Sequence, residues 1–306
     1  MDAATDVGYR SSTLAALRGG INLLDTSLNY RHQSSERNIG AALKELLSSG
    51  ELTREEFVVC TKAGYLVPNA LPHGVITGAD LVGNMHCLAP AFLEHQLECS
   101  RANLGLETID LFYLHNPETQ LGHVSEEELY RRIETAFAKL EQLAAAGRIR
   151  YYGAATWNGF RTRPSEAGLS LVKMAEMARA AGGEKHHFGF IQLPFNMAML
   201  EAYAVERETL DGRTVATLEA ARRLGITVIA SASILQARLS RGLPDEVAER
   251  LPGLQTDAQR AIQFARSAPG IASALIGMSQ PRHVEENLAL SRVEPAELSA
   301  WFSKSQ

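Results

Sequence analysis

The feature that most restricts the folding of this 306-residue chain is a series of apolar runs set between helical stretches. Seven runs rich in β-branched or aromatic residues read as strands. They lie at 21–26 (INLLDT), 57–62 (FVVCTK), 109–115 (IDLFYLH), 149–155, 188–195, 226–232 and 271–277. Most are apolar nearly throughout, which suits strands of a parallel sheet covered on both faces. Helical stretches fall at about 11–19, 34–49, 89–104, 125–146, 165–181, 214–224, 256–268 and 281–290. Gly50, Gly105, Gly147 and Gly225 follow four of them, where a left-handed cap belongs. Ser125 and Glu128 have the spacing of a capping box.

The order of elements specifies an α/β fold. Eight helices accompany only seven strands, and the chain opens on a helix. A (β/α)8 TIM barrel needs eight strands, each followed by its helix. Gly19-Gly20 before INLLDT reads as the end of a first unit whose strand is absent. The expectation is therefore a TIM barrel lacking its first strand, as if the chain began late (an N-terminal truncation). A doubly wound open sheet is the rival architecture. No Gly-rich dinucleotide fingerprint follows any strand, which favours the barrel. No low-complexity segment or linker divides residues 1–306, so they are read as a single domain.

Composition excludes several classes. The formal net charge of −5 and the lack of like-charge blocks give no support to a nucleic-acid or anionic-membrane partner. Three cysteines cannot all pair, which fits a reducing cytoplasm. No apolar run approaches the roughly 18 residues of a membrane span, and the first residues, MDAATDVGYR, lack a signal-peptide core. The sequence leaves the oligomeric state open.

Three strand runs end in chemistry-bearing residues: Asp25, Lys62 and His115, with Tyr30 five residues after the first. In parallel α/β folds, functional groups collect at these carboxyl ends. Together they have the parts of a proton-donating site. A phenol near pKa 10 holds its proton tightly, and a neighbouring ammonium favours its release. A carboxylate beside the ammonium keeps it charged when buried. An imidazole can orient the oxygen that receives the proton.

With these residues in hand, the chain resembles the aldo-keto reductases. The resemblance is carried by DTSLNY…SERNIG, VVCTKA, DLFYLHNP, RIRYYGAATW, FIQLPFN, GITVIASASILQARL and ALIGMSQPRHVEENL, from about residue 10 to 290. It implies an oxidoreductase that passes a hydride between NADPH and a small-molecule aldehyde or ketone on a (β/α)8 barrel. Tyr30 would be the proton donor, assisted by Lys62 and Asp25, with His115 placing the carbonyl. Thr156 and Gln192 would meet the nicotinamide amide. The loop from Ser231, through Ser233, Leu235 and Ala237, would follow the pyrophosphate. Ser279, His283, Glu286 and Asn287 would surround the adenosine end. Tyr65 and Trp157 would line the substrate pocket.

The sequence departs from the family pattern in places. Ala155-Thr156 stands where Ser-Asn is common, and Ser231 where many members stack a Tyr on the nicotinamide. Met278 and His283 replace the Lys and Arg that clasp the adenosine phosphate, which leaves NADH open as the cofactor. The alternative function is a non-catalytic or regulatory barrel of the same fold that has lost efficient cofactor binding; a Schiff-base lyase using Lys62 is disfavoured by Asp25 beside it.

Residues 63–90 read as a long substrate-shaping lid, and 195–213 as a second long loop at the same end. His86, Cys87, His95 and Cys99 invite a metal reading, but no CxxC or HxxxH pair supports it, and no metal is expected. His186-His187 reads as solvated loop, and Met174 and Met177 as core.

Overall fold

The computed structural model describes residues 3–67, 74–163, 166–298 and Trp301. Its helices are α1 (Ala3–Arg18), α2 (Ser34–Ser49), α3 (Pro90–Leu104), α4 (Glu126–Ala145) and α5 (Leu171–Gly182). Then come α6 (Glu201–Ala204), α7 (Thr217–Leu224), α8 (Asp245–Arg250), α9 (Asp257–Ser267) and α10 (Pro281–Leu288). The strands are β1 (Leu23–Asp25), β2 (Val58–Ala63), β3 (Leu81–Val82), β4 (His86–Cys87), β5 (Ile109–His115) and β6 (Ile149–Ala155). They continue as β7 (Phe188–Pro194), β8 (Glu206–Leu210), β9 (Arg213–Ala216), β10 (Thr227–Ser231) and β11 (Ile271–Ala274).

All seven apolar runs fall in one parallel sheet, ordered β1-β2-β5-β6-β7-β10-β11. Burial explains the continuous apolar pattern: every residue of β5 is buried. One face packs on the helices through Phe112, Leu114, Phe137, Ile191 and Val228. The other packs on itself through Cys60, Leu111, Tyr113, Ala155 and Ile229. This is a barrel of (β/α)8 type with one strand fewer. Among the described residues β1 and β11 each pair on one side only, and both border a cavity of about 850 Å³ roofed by α1.

Local signals set most helix ends. Gly50, Gly105 and Gly225 adopt the left-handed C-cap conformation, and Gly147 does so one residue past the end of α4's cap. The capping box before α4 is only half formed. Ser125 Oγ accepts from the Glu128 N–H, but the Glu128 carboxylate pairs with Arg131 and Arg132. Charge attraction outcompetes the reciprocal cap.

Other expectations need correction. The first helix begins at Ala3, earlier than its apolar pattern suggests. Residues 195–213 are not a plain loop: they hold α6 and, with the residues that follow, the β8–β9 hairpin. Its Asp211-Gly212 turn has both residues at positive φ, the conformation such hairpins demand. The 63–90 segment is pinned at both ends of the described part. Tyr65 bridges His86, and Cys87 N–H donates to the Gly64 carbonyl. Residues 68–73 of that segment, and 165 at the start of the expected fifth helix, lie outside the described residues. His187 is no free loop residue either, since its Nδ1 lies 2.6 Å from Glu141. Met174 is fully buried and Met177 packs against the core, as expected.

Candidate active site

The carboxyl ends of adjacent strands β1, β2 and β5 bring Asp25, Lys62 and His115 together, and the turn after β1 brings Tyr30 to them. Lys62 is 1% exposed, too buried for an unpaired charge. Its ammonium donates to Asp25 Oδ2 at 2.6 Å and to the Thr26 carbonyl at 2.9 Å. Burial alone would lower the Lys62 pKa, but Asp25 and the Tyr30 phenol more than offset it, so the net shift is upward. An ammonium has three protons, so two bonds leave one uncommitted. Its nitrogen lies 5.0 Å from the Tyr30 ring centroid, and Tyr30 is 38% exposed at the mouth.

His115 meets the Tyr30 ring edge-on, centroids 5.8 Å apart. Burial, then Lys62 and His86, hold its pKa well below the ordinary histidine value, so the ring is neutral at pH 7. Its Nδ1 lies 3.2 Å from Ser27 Oγ. Behind it, His86 Nε2 donates to the His115 carbonyl at 2.8 Å, and Gln120 Nε2 donates to His86 Nδ1 at 3.2 Å. Burial depresses the His86 pKa to about 4, so it too is neutral. Gly64 makes this approach feasible, since a Cβ there would stand 2.8 Å from His86 Nε2. Behind Lys62, Glu36 is fully buried; its carboxylate accepts from Thr61 Oγ1 at 2.7 Å and Asn103 Nδ2 at 2.9 Å.

The residues expected to hold a cofactor fall into two groups. Thr156, after β6, is 4% exposed, and its hydroxyl is sealed in without a hydrogen-bond partner. Asn287, in α10, likewise has a buried, unpartnered Oδ1 on the border of the large cavity. Two orphaned polar atoms at the two expected ends fit a ligand with an amide at one end and an amino-bearing ring at the other. Ser231 borders the same cavity, and Leu235 to Ala237 form a left-handed turn.

Others make bonds of their own, and Gln192 also borders the large cavity. Gln192 Nε2 donates to Asp25 Oδ1 at 2.8 Å, which ties it to the acid. Ser233 is buried with its hydroxyl turned to the Ala230 carbonyl. Glu286 accepts from Thr256 at 2.5 Å and borders a separate cavity of about 250 Å³. Ser279 and His283 are half-buried around the start of α10, with the Ser279 carbonyl against Gly8 of α1. Tyr65 presents its ring edge to His115 and His86, while its hydroxyl bonds Thr119 and Asn116. Trp157 is 40% exposed at the rim. His95 and Cys99 contact each other, but among the described residues no group of three or more possible metal ligands gathers.

Sequence reasoning missed Ser27 and Gln120, and weighed His86 only as a metal ligand. Ser27 had a signal: two residues past Asp25 along an extended run, it shares that residue's face. His86 and Gln120 had none, since a lone polar residue outside the periodic runs says nothing of its partner.

Fold and cluster define an α/β barrel protein whose polar groups converge at the carboxyl ends of its strands. The family model described as "Aldo/keto reductase family" matches residues 11–242. The chain belongs to the aldo/keto reductase family, whose chemistry is carbonyl oxidoreduction. It is 28% identical to a D-threo-aldose 1-dehydrogenase of a Pseudomonas species, over 95% of this chain and 86% of that protein. It is 25% identical to a putative voltage-gated potassium channel subunit beta of Schizosaccharomyces pombe, over 88% of this chain and 74% of that protein. Among solved structures, the holo form of an aldo-keto reductase from Bacillus halodurans superposes with a TM-score of 0.64 at 20% identity, covering 94% of this chain and 83% of the other. An aldo/keto reductase of Klebsiella pneumoniae, in complex with NADP and acetate, gives 0.63 at 19% identity, covering 94% and 81%. At such identity these likenesses speak for the fold. No helix among the described residues is long and apolar enough to cross a membrane.

Proposed function

We propose that this chain passes a hydride between a nicotinamide cofactor and an aldehyde or ketone. The observation that carries the reading is the buried Lys62 ammonium, paired with Asp25 and set 5.0 Å from the Tyr30 ring. When bound, the nicotinamide supplies the hydride that forms the new C–H bond. Negative charge then develops on the former carbonyl oxygen. Tyr30 O–H donates its proton there, leaving a phenolate that the neighbouring ammonium stabilises. Solvent at the exposed mouth returns the proton. His115 orients the substrate, and the Asp25–Gln192 bond holds the acid in place.

Thr156 and Asn287 would hold the two ends of the cofactor, with the loop from Ser231 to Ala237 between them. NADPH is the expected form. NADH is the alternative, because Met278 and His283 bring no permanent positive charge to an adenosine phosphate. The substrate is a small carbonyl compound, and the setting is the cytoplasm.

Tyr30→Phe removes the proton and keeps the ring. Turnover should fall by roughly 10²–10⁴-fold with cofactor affinity nearly unchanged. Near-normal kcat in that variant would falsify the proton-donor role. The channel-subunit relative favours a second reading, a regulatory barrel without turnover. Titrating NADPH and NADH by fluorescence, then screening carbonyl compounds for cofactor consumption, separates the two. Failure to bind either cofactor, or binding without its consumption, supports the regulatory barrel.

A further inference from the structure

Glu118 lies in the short turn Pro117–Gln120, three residues past His115, and its side chain reaches the loop that follows β6. There Oε1 accepts three successive backbone N–H groups: Trp157 at 2.6 Å, Asn158 at 3.0 Å and Gly159 at 3.2 Å. Consecutive amides turned to one point form an anion seat, and the chain fills it with its own carboxylate. The second oxygen, Oε2, is sealed from solvent without a hydrogen-bond partner. Burial raises the Glu118 pKa and the amides of the loop pull it back; no charged neighbour takes part. A carboxylate buried without a cation is costly unless hydrogen bonds satisfy it. Bonds to an ionised acceptor are roughly twice as strong as neutral ones, so the three amides hold the loop firmly. That loop carries two residues of the site. Thr156, just before the captured amides, has the buried hydroxyl without a partner, and Trp157 is the ring at the rim. Packing joins them to the acid: a Cβ on Gly159 would stand 3.0 Å from Thr156 Cγ2 and 3.3 Å from Glu118 Cδ. Beside Glu118 in the same turn, Thr119 Oγ1 lies 3.0 Å from the Tyr65 hydroxyl. One short turn thus ties both side chains expected to line the pocket, Tyr65 and Trp157.

We propose that Glu118 is a positioning residue, whose carboxylate sets Thr156 for the cofactor amide and Trp157 as a fixed wall of the carbonyl pocket. The proposal rests on the carbonyl chemistry above. Among the described residues the Glu118 side chain bonds to the loop and not to Asp25, Tyr30, Lys62 or His115. It therefore governs how tightly ligands are held and leaves the proton transfer alone. A loop ordered before binding spares the ligand the cost of ordering it. Once released, the loop must be ordered at each encounter, and affinity falls.

Amide hydrogen exchange of the full chain reads the hold on the loop directly, without turnover. Slow exchange is expected for the Trp157, Asn158 and Gly159 N–H groups in the unaltered chain, and fast exchange in Glu118→Ala. Unprotected amides in the unaltered chain overturn the proposal, and this measurement needs no variant to fold. The second arm follows NADPH binding by fluorescence and the reduction of propionaldehyde. Glu118→Ala should raise both the NADPH Kd and the KM for the aldehyde roughly tenfold. Its kcat should stay within about threefold of the unaltered value, the mark of lost binding rather than lost chemistry. Glu118→Gln keeps an acceptor oxygen at the same reach, so it should restore part of the affinity. A kcat that falls together with kcat/KM at constant KM overturns the proposal, and so do a Kd and a KM that Glu118→Ala leaves unchanged. No consumption of propionaldehyde, with amides that are protected until Glu118→Ala exposes them, rejects the carbonyl reading and upholds the hold of Glu118 on the loop.

Discussion

The Lys62 side chain has no exposed surface, yet its ammonium stays charged because Asp25 and the Thr26 carbonyl accept hydrogen bonds from it. The neighbouring imidazoles answer burial the other way: with no acid partner, both become neutral. That has a measurable consequence. The His86 pKa is about 4 in the folded chain against about 6.5 unfolded. Between those values the unfolded chain binds a proton that the native one refuses, so stability falls as pH falls through that window. Above about pH 7 the contribution is complete. The loss by pH 4 approaches ~3 kcal/mol, and His115 shifts in the same direction. The urea midpoint should therefore drop from pH 7 to pH 5, and the drop should shrink in His86→Gln. A midpoint unchanged between those pH values counts against this account. Asp25, Lys62 and His115 were readable as strand-end residues. The neutral state of His115 was not, because it depends first on burial in the closed fold, then on Lys62 and on His86.

At the level of elements, the helices follow their caps and the strands their apolar runs. The β8–β9 hairpin did not announce itself as strongly, although ERETLDGRTV alternates about an Asp-Gly turn. A half-exposed hairpin inside a long connection gives only a weak pattern. Its role is visible in space. Arg207 donates to the Gly159 and Leu169 carbonyls at 2.8 Å each, and Glu208 accepts from Ser170 Oγ at 2.9 Å. The hairpin thus fastens the loop that follows β6 and carries Trp157. Arg207→Ala should cost about 3 kcal/mol, because it strands the buried Glu208 carboxylate without its cation. Amide exchange in residues 157–163 should quicken in the variant. Unchanged exchange there, at unchanged stability, would show that the hairpin fastens nothing.

For the molecule as a whole, the sheet has two ends. Among the described residues β1 and β11 each turn an unpaired edge toward the same cavity of about 850 Å³. Open edges template pairing with other chains. The 306-residue chain should therefore self-associate as concentration rises, which sedimentation velocity can follow. A single monomeric species across a hundredfold concentration range would show that α1 covers the edges well enough.

Order of elements, strand composition and the residue types at strand ends were all determined by the sequence alone, because each depends on neighbours a few positions away. Partner choice was decided only by the tertiary structure. Gln192, expected at a cofactor amide, bonds Asp25 across 167 residues, and Ser27 meets His115 across 88. A hydrogen bond forms between groups that the closed chain brings within about 3 Å. Local periodicity carries no record of which strand ends will meet.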